Sequence, residues 1–309
     1  MWDLDQIAQA LHPSGRLLDV QHLGGGISYQ TLRATFHVDG QPPVDLIIRQ
    51  AGPEKLDLHP THLGEEFALL KHLVSSSPSG VRLPRPQLLL HNASGLPDCV
   101  VLDFTPGDPA VRHPEPLKLA PALAGVLAAI HDVRELPEPL VFLKERGRDG
   151  NRWPLMTPDE LDESLRENTI RQAMSSMSTK NANLPCLLHG DYWPGNIILN
   201  DETIAAIVDW EDALFGDPMN DVAIARLDLL WCYGEAVMHA FTEHYLRITN
   251  VDERDLPYWD LFAALRPCGY LAEWSKGWAA MGRPDVTLET MARQHAWFVD
   301  DALARASLS

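Results

Sequence analysis

The sequence predicts a two-lobed α+β fold, with a small β-rich N-terminal lobe and a larger, mainly helical C-terminal lobe. Short apolar runs separated by turns that contain Gly and Pro dominate up to residue 104, and such runs are typical of strands. After residue 109 the apolar residues recur mostly at the three- and four-residue spacing of amphipathic helices. We therefore expect one domain over 1–104 and a second over 105–309, which begins with the connector Thr105–Pro109.

The N-terminal lobe is predicted to begin with a short helix, because Leu4, Ile7 and Leu11 fall on one helical face. The glycines at 24–26 and the segment Gly40–Pro43 then separate apolar runs in the manner of turns. The predicted helices cover 2–11 and 63–74, and the predicted strands cover Leu17–Leu23, Tyr29–Val38, Val44–Arg49, Gln87–His91 and Asp98–Phe104.

The C-terminal lobe is predicted to be helical around a short stranded region. A helix should end near His131, and the polar stretch 143–183 reads as an insert around one helix. Proline at 267 predicts a kink, because it lacks the N–H that continues a helix. The predicted helices cover 119–131, 158–177, 219–233, 234–248, 257–281 and 287–306, and the predicted strands cover Leu184–Leu188, Ile197–Leu199 and Ile204–Val208.

The charge balance of the 309 residues excludes some partners. The chain carries 25 basic and 43 acidic residues, a formal charge of −18. Nucleic acids and anionic membranes are bound through Lys and Arg, so neither is expected as a partner. The acidic balance is compatible with a cationic substrate, but a solvated surface that only aids solubility is the simpler explanation.

The cysteines and the chain start indicate a cytoplasmic protein. Cys99, Cys186, Cys232 and Cys268 lie far apart and form no C-x-x-C pair, which favours reduced thiols over a zinc site or disulfides. The N-terminus lacks the basic and apolar regions of a signal peptide. No apolar stretch approaches the roughly 20 residues that a membrane span needs.

Three polar residues at the edges of short apolar strands carry the strongest functional signal. Asp191 and Asn196 follow the apolar Leu187-Leu188, and Asp209 follows Ile207-Val208. The spacing His-x-Asp-x4-Asn, followed by an Asp after a strand, matches the phosphoryl-transfer residues of protein kinases. The alternative is that these side chains only shape a glycine-containing turn and cap nearby backbone.

Phosphoryl transfer to a hydroxyl group explains why these residue types occur together. The reaction needs a carboxylate that orients the attacking hydroxyl and accepts its proton, and Asp191 is the candidate. It also needs oxygen ligands for Mg²⁺, for which Asn196 and Asp209 are the candidates. His189 is expected to pack and hydrogen-bond within the turn rather than to react.

The chain resembles the aminoglycoside phosphotransferase family, which is related to choline kinases and macrolide kinases. The residues that carry the resemblance are His189-Gly190-Asp191, Asn196, Asp209-Trp210-Glu211 and Gly216-Asp217-Pro218. The resemblance implies a protein-kinase-like fold and an enzyme that uses ATP and Mg²⁺. It also implies that Asp191 is the catalytic base and that Asn196 and Asp209 bind the metal ion.

Two segments of the N-terminal lobe are candidates for binding ATP. Gly25, Gly26 and Ser28 lie between two predicted strands, where backbone N–H groups could approach phosphates. Three glycines alone more often form a hairpin turn with positive φ angles. The second segment is the expected hinge to the next lobe, whose backbone could pair with adenine, and which consists of Asp103, Phe104 and Thr105.

Charged residues around these segments have predicted supporting roles. Arg49 ends an apolar strand where kinases place a phosphate-binding lysine, and otherwise reads as a surface cation. Glu66, rather than its neighbour Glu65, is expected to pair with Arg49. Asp217 is expected to cap the helix that Pro218 opens, and Asp221 to accept backbone hydrogen bonds from the catalytic loop.

The acceptor is not readable from the sequence. Aminoglycosides, macrolides, choline-like amines, sugars and amino-alcohols all fit the resemblance. Trp274 and Trp278 share a helical face with Tyr270, and such a stripe more often packs in a core than binds a ligand. The candidate acceptor-binding residues are Glu211, Asp212, Asp260, Glu273 and Trp274.

Three other functions compete with a small-molecule kinase. A nucleotide-binding regulator without activity is compatible with Arg49 in place of lysine, although the intact Asp191, Asn196 and Asp209 argue against it. A metal-dependent phosphohydrolase would use Asp191 and Asp209 and would need no nucleotide. A protein kinase is disfavoured, because too few residues separate Asp209 from the Gly216-Asp217-Pro218 turn for an activation segment.

Overall fold

The computed structural model describes residues 3–23, 29–51, 63–76, 81–90, 98–149, 158–177 and 183–307. The chain forms two compact units. The first draws on Met1–Ser77, Arg82–Gly107 and Asn200–Asp212, and the second on Pro78–Val81, Asp108–Leu199 and Ala213–Ser309. The predicted domain boundary after residue 104 remains a prediction.

The first unit is built on a five-stranded antiparallel sheet whose strand order is β1-β2-β3-β5-β4. The register places Arg49 opposite Thr31 on one neighbouring strand and opposite Val100 on the other. The elements of this unit are helix α1 (Leu4–Leu11), strands β1 (Arg16–Leu23), β2 (Tyr29–His37) and β3 (Val44–Ala51), helix α2 (Leu63–Ser76), and strands β4 (Pro86–Leu90) and β5 (Cys99–Asp103).

Alternation along β2 creates the core of this sheet. Leu32, Ala34 and Phe36 are buried at every second position and pack in one cluster with Ile7 and Ala8 of α1. Helix α1 begins at an Asp3 cap whose carboxylate accepts the N–H of Asp5 at 2.8 Å. These features confirm the predicted first helix and the predicted strands on either side of residues 24–28.

The second unit is mainly helical and contains short strands. Strand β7 pairs with β10, and the two residues of β6 pair with β8. Its elements are β6 (Asp108–Pro109), α3 (Pro116–His131), α4 (Phe142–Asp149), α5 (Glu167–Ser176), β7 (Cys186–Leu188), β8 (Ile197–Asn200, whose last residue groups with the first unit), β10 (Leu214–Gly216), α6 (Met219–Tyr233), α7 (Glu235–Ile248), α8 (Leu256–Leu265), α9 (Leu271–Ala280) and α10 (Leu288–Ala306). Strand β9 (Thr203–Ile207) belongs to the first unit.

Helix α6 lies at the centre of the second unit. Of its 15 residues, 14 are buried, which is the pattern of a helix surrounded on all sides. It packs against α7, α8 and α10. Because three of its buried side chains are charged, namely Asp221, Arg226 and Asp228, each requires a compensating partner within the protein.

Two predicted helices are wrong in extent. The predicted helix over 257–281 is two helices, α8 and α9, separated by a turn in which Gly269 has φ +78°. The predicted helix over 158–177 contains a 3₁₀ turn at Glu163–Leu165, and Arg166 (φ 61°) then precedes α5. The helices predicted over 219–233 and 287–306 are confirmed. Among the helices of the described residues, none has the length and apolar character that crossing a bilayer requires.

Asp260 corrects one expectation about acceptor binding. Its side chain is fully buried, and it receives hydrogen bonds from Arg226 Nε at 2.9 Å and from the Arg305 guanidinium. Arg226 also donates to Thr242 Oγ1 at 2.9 Å. Asp260 therefore neutralises the buried Arg226 and the half-buried Arg305 between α6, α8 and α10 instead of facing a substrate.

Replacing Asp260 should destabilise the fold strongly. Asp260→Ala leaves Arg226 buried without its carboxylate, and losing one partner of a buried pair costs about 3–5 kcal/mol. The exposed pair of Asp300 with Arg166 provides the control, because Asp300→Ala removes only a solvated contact. Urea unfolding of both variants checks this. Equal unfolding free energies would contradict the structural role of Asp260.

Candidate active site

The loop that carries Asp191 begins where the buried strand β7 ends. All three residues of β7 are buried, and Leu188 lies opposite Leu214 in the pairing with β10. Gly190 follows with φ +83°, a conformation that glycine adopts without steric cost. A 3₁₀ turn over Pro194–Asn196 then leads into β8. The loop is thus held between two strands.

Asp221 of α6 holds the start of this loop. Its carboxylate accepts the N–H of His189 at 2.7 Å and the N–H of Gly190 at 2.8 Å. It also contacts His131 Nε2 at 3.2 Å. The predicted brace of the loop by Asp221 is therefore confirmed. Burial alone would raise the pKa of Asp221, but hydrogen bonding and charge from His131 and then His189 outweigh it and lower this pKa.

His189 supports the turn, as its position in the sequence predicts. Its side chain is fully buried, and its Nδ1 accepts the N–H of Asp191 at 3.3 Å. Its ring meets the edge of Tyr192 with a centroid separation of 6.0 Å. The neighbouring Tyr192 hydroxyl donates to the carbonyl oxygen of Leu123 at 2.9 Å, which ties the loop to α3.

The carboxylate of Asp191 accepts hydrogen bonds at both of its oxygens. Asn196 Nδ2 donates to Oδ2 at 3.1 Å and to the Asp191 carbonyl oxygen at 3.0 Å. Arg266 Nη2 donates to Oδ1 at 2.6 Å. The Asp191 side chain is 27% exposed, so it is oriented by its neighbours and still reaches the surface. Asp191 and Asn196 thus lie together in the second unit.

Asp228 lies beside this pair in the same unit. Its carboxylate is 3.8 Å from Arg266 Nη1, beyond hydrogen-bond distance. Burial raises the pKa of Asp228 to about 7, against the opposing influence of Arg266 and with a further increase from Asp191. Neither Arg266 nor Asp228 is predicted from the sequence, since neither belongs to a recognisable motif and both reach Asp191 only through the packing of distant helices.

In the first unit, Arg49 binds three carboxylates. Its guanidinium bonds to Glu66 Oε1, to Asp209 Oδ1 at 2.8 Å and to Glu211 Oε2 at 2.6 Å. Arg49 and Glu66 are buried, and Glu66 Oε1 also accepts the N–H of Trp210 at 3.3 Å. The predicted Arg49–Glu66 ion pair is present, and the alternative that Arg49 is a surface cation is wrong.

The electrostatics of this cluster favour a further cation. Burial disfavours the charged form of Arg49, but Glu66, Asp209 and Glu211 outweigh this effect and raise its pKa. Burial also raises the pKa of Glu66, and burial together with Asp209 raises the pKa of Glu211 to about 8 against the effect of Arg49. A single guanidinium thus faces three acidic groups, and the raised pKa values show that ionising all three is unfavourable, a cost that a further cation would lower.

Asp209 is held in a strained conformation. It follows β9 and has φ 67°, in the left-handed region that non-glycine residues seldom adopt. Such strain persists only where surrounding contacts impose it, here the bond from Arg49 and the packing of the buried Trp210, whose Nε1 donates to Ile207 O at 3.1 Å. The Asp209 side chain is 38% exposed.

The oxygen atoms present fit the ligand preference of magnesium. Asn196 uses its Nδ2 for Asp191, which points its amide oxygen the other way, and Asp209 offers a partly exposed carboxylate. Hard oxygen donors of this kind suit Mg²⁺, which keeps waters and substrate phosphates as its other ligands. Among the described residues, no group of three or more His, Cys, Asp or Glu side chains forms a complete metal cage.

Residues 20–262 match the family model for APH, the phosphotransferase enzyme family. The chain belongs to this family. Its membership confirms the resemblance and the enzyme class that the sequence predicts, and the structure confirms the mixed α/β class with an antiparallel N-terminal sheet and a helical C-terminal region.

Solved structures share the fold of this phosphotransferase. A thermostable mutant of aminoglycoside phosphotransferase APH(4)-Ia, in a ternary complex with ADP and hygromycin B, is 15% identical with a TM-score of 0.61 and 98% of each chain covered. The amicoumacin kinase hAmiN, in complex with AMP-PNP, Ca²⁺ and Ami, is 15% identical with a TM-score of 0.63, covering 97% of this chain and 94% of the other. At this identity the likeness concerns the fold alone.

Curated relatives are longer proteins. Acyl-CoA dehydrogenase family member 11 of Rattus norvegicus is 26% identical over 260 residues, which cover 71% of this chain and 32% of the relative. The protein of the same name from Mus musculus is 25% identical with the same coverage. The phosphotransferase thus spans about a third of the length of these relatives, and the dehydrogenase activity in their name is not carried over to it.

The structure describes only some of the other residues of the phosphotransferase that are predicted to bind ATP. Gly25, Gly26 and Ser28 lie outside the described residues. In the expected hinge, the N–H of Asp103 donates to Arg85 O and that of Phe104 to Asp45 O, so these donors serve local backbone contacts. A role in adenine binding stays a prediction for the other polar groups of this segment, including Thr105.

The predicted acceptor-binding residues belong to both units. Glu211 binds Arg49 in the first unit, where Asp212 is half-buried. In the second unit Glu273 is largely exposed and pairs with Lys276 at 2.6 Å. Trp274 is half-buried against Trp231, and Arg266 lies over its ring at 5.9 Å.

Asp221→Asn should weaken both the loop and the activity of the phosphotransferase. The amide keeps one acceptor oxygen but turns an NH₂ group toward the second backbone N–H, which costs about 1–3 kcal/mol. Because the pKa of Asp221 is lowered in the folded state, its contribution is full above the unfolded value and is lost as pH falls through the folded value. The stability difference from wild type should therefore be constant above about pH 5 and shrink as the pH falls below the ordinary value of 3.8.

Thermal unfolding across this pH range, combined with turnover assays, checks the role of Asp221. Asp132→Asn is the control, because Asp132 is exposed and lies next to His131. A stability difference that stays constant with pH would contradict the assigned charge on Asp221.

Proposed function

We propose that this phosphotransferase transfers the γ-phosphoryl group of ATP to a hydroxyl group of a small molecule with the help of Mg²⁺. The observation that carries the proposal is the hydrogen-bonded pair of Asp191 and Asn196 in a loop braced by Asp221. Family membership supplies the reaction class, and the ADP and AMP-PNP in the named neighbouring structures support a nucleotide donor.

In the proposed reaction Asp191 orients the acceptor hydroxyl and takes its proton. The acceptor oxygen forms a new bond to the γ-phosphorus, the bond between that phosphorus and the β–γ bridging oxygen breaks, and ADP leaves with the electron pair. Asn196 restrains the Asp191 carboxylate through the bond at 3.1 Å, so that little reorientation is needed.

Asn196 and Asp209 would hold magnesium. Bound Mg²⁺ would neutralise phosphate charge and orient the γ-phosphoryl group. The three carboxylates around Arg49 support this assignment, since a divalent cation at Asp209 would stabilise their ionised forms.

Arg49 is proposed to contact the nucleotide phosphates, with Glu66 holding its guanidinium in place. A guanidinium presents five N–H donors, of which three bond to Glu66, Asp209 and Glu211, so two remain for phosphate oxygens. Backbone groups of Gly25 and Gly26, and the Ser28 hydroxyl, are proposed to cover the phosphates.

Membership of the family does not specify the chemical class of the acceptor. The hygromycin B in the named APH(4)-Ia complex makes an aminoglycoside-like, cationic acceptor one candidate for this chain. A cytoplasmic location stays a prediction.

An inactive nucleotide-binding regulator is the second candidate. The observation that favours it is the Arg266–Asp191 ion pair at 2.6 Å, because a paired carboxylate is a weaker base. The two functions differ in acceptor-dependent ADP release, which the regulator lacks.

Asp191→Ala should lower phosphoryl transfer by about 10²–10⁴-fold while Mg·ATP still raises the melting temperature. The reason is that the carboxylate acts on the acceptor and not on the nucleotide. Coupled ADP-release assays and thermal shift measurements check this. Asp19→Ala, which removes an exposed carboxylate from β1, is the control. Near-normal turnover of Asp191→Ala would exclude the role of this residue as the base.

Arg49→Met should raise the KM for ATP by at least about tenfold, because one charged phosphate contact contributes about 1.4 kcal/mol or more. Arg49→Lys should recover part of this loss, since it keeps the charge without the fork. Arg16→Met on β1 is the matched control, as Arg16 pairs with Asp39 at the surface. If Arg49→Met alone is unfolded, the double variant Arg49→Met/Glu66→Gln is measured instead, because it also removes the buried charge of Glu66. An unchanged KM for ATP in a folded variant would refute the contact.

A further inference from the structure

Arg266 lies next to Asp191, whose carboxylate is proposed to take the proton of the acceptor hydroxyl. It follows α8, its side chain is 13% exposed, and its Nη2 is 2.6 Å from Asp191 Oδ1. The Trp274 ring supports the guanidinium at 5.9 Å. A guanidinium keeps its proton at all physiological pH values, so a permanent positive charge adjoins the proposed base.

This position limits the acceptors that the site can bind. A hydroxyl that gives its proton to Asp191 must lie within hydrogen-bond distance of that carboxylate, so it lies within about 6 Å of Arg266 Nη2 when it bonds to the same oxygen. Atoms next to the reacting hydroxyl therefore lie close to a guanidinium as well as to Asp191. A guanidinium offers N–H donors that a carboxylate or phosphate can accept and that a protonated amine cannot use.

We propose that Arg266 binds an oxyanion group, a carboxylate or a phosphate, on the acceptor, and that this phosphotransferase therefore acts on an anionic hydroxyl compound. The proposal rests on the function proposed above. The guanidinium can donate hydrogen bonds to the acceptor oxyanion and to Asp191 at the same time. Alternatively, the N–H group that bonds to Asp191 can turn to the incoming anion. The second route frees Asp191 Oδ1 for the hydroxyl only when the matching acceptor is present.

The other charged groups near Arg266 are compatible with this assignment. Asp191 and Asp228 are its acidic neighbours, and Asp228 lies 3.8 Å away, outside hydrogen-bond distance. Two of the acidic residues predicted to bind a cationic acceptor have partners of their own. Asp260 is buried between Arg226 and Arg305, and Glu273 pairs with Lys276.

A transfer assay on fractionated small molecules tests the charge class even though the acceptor is unidentified. The full-length protein is incubated with Mg²⁺ and ATP labelled at the γ-phosphate, together with a deproteinised cell extract that ion exchange has divided into anionic, neutral and cationic fractions. Gluconate, glycerol 3-phosphate, sorbitol and kanamycin are added as separate arms. The carboxylate and phosphate arms distinguish the two sources of an oxyanion.

The proposal expects labelled product from the anionic fraction and at most a trace from the other two. Transfer confined to the neutral or cationic fractions would overturn the anionic acceptor while leaving the proposed kinase activity intact. Absence of transfer from every fraction would contradict the kinase activity itself, and this proposal with it. The two failures are therefore distinguishable.

Variants at Arg266 then separate acceptor binding from simple support of Asp191. These variants are measured with an anionic acceptor that gave labelled product. Arg266→Met should raise the KM for this acceptor at least about tenfold and leave the KM for ATP within about twofold. Arg266→Lys should restore part of the acceptor affinity, because it keeps the charge. The control is Arg254→Met, since Arg254 forms an exposed ion pair with Asp252.

A different kinetic pattern would show that Arg266 only braces the base. In that case Arg266→Met lowers kcat and leaves the acceptor KM unchanged, and the slow hydrolysis of ATP by water falls in parallel. Thermal unfolding of each variant establishes that it is folded. Should Arg266→Met be unfolded, Arg266→Lys and Arg266→Gln carry the same comparison of KM and kcat.

Discussion

The bond between the buried carboxylate of Asp221 and the backbone of the loop that carries Asp191 determines the rest of the second unit's candidate site. A carboxylate with no solvent exposure is tolerated only where donors compensate its charge, and here His189 N–H, Gly190 N–H and His131 supply them. The same bonds fix where β7 ends relative to α6. Asp191 directly follows Gly190, so the same hydrogen bonds also determine the position of Asp191.

Each compact unit contains an arginine whose acidic neighbours outnumber it. Arg49 bonds to three carboxylates in the first unit, and Arg266 lies close to Asp191 and Asp228 in the second. Such clusters are costly when nothing else is bound, as the raised pKa values of Glu66 and Asp228 indicate. A magnesium ion at Asp209 and a nucleotide at Arg49 would complete the charge balance that the protein leaves open.

The sequence predicted features that depend on local spacing and missed those that depend on tertiary packing. The loop after β7, the Asp217–Pro218 helix start and the Arg49–Glu66 pair follow from motifs or neighbouring elements. Arg266 reaches Asp191 across 75 positions of the chain, and no local pattern indicates such a contact. Asp260 was misassigned for the same reason, because its burial between two arginines depends on three packed helices.

The acceptor's charge is a local question that the net charge of the chain does not answer. A formal charge of −18 acts on a molecule in solution, but screening at physiological ionic strength removes most of that effect beyond roughly 8 Å. At the bottom of a site, the groups within a few ångströms decide. Among the described residues, Arg266 is the arginine that bonds to Asp191, whereas Glu211 and Asp260 bind partners of their own. An acidic surface can therefore surround a site that recognises an anion, because the two charges act over different distances.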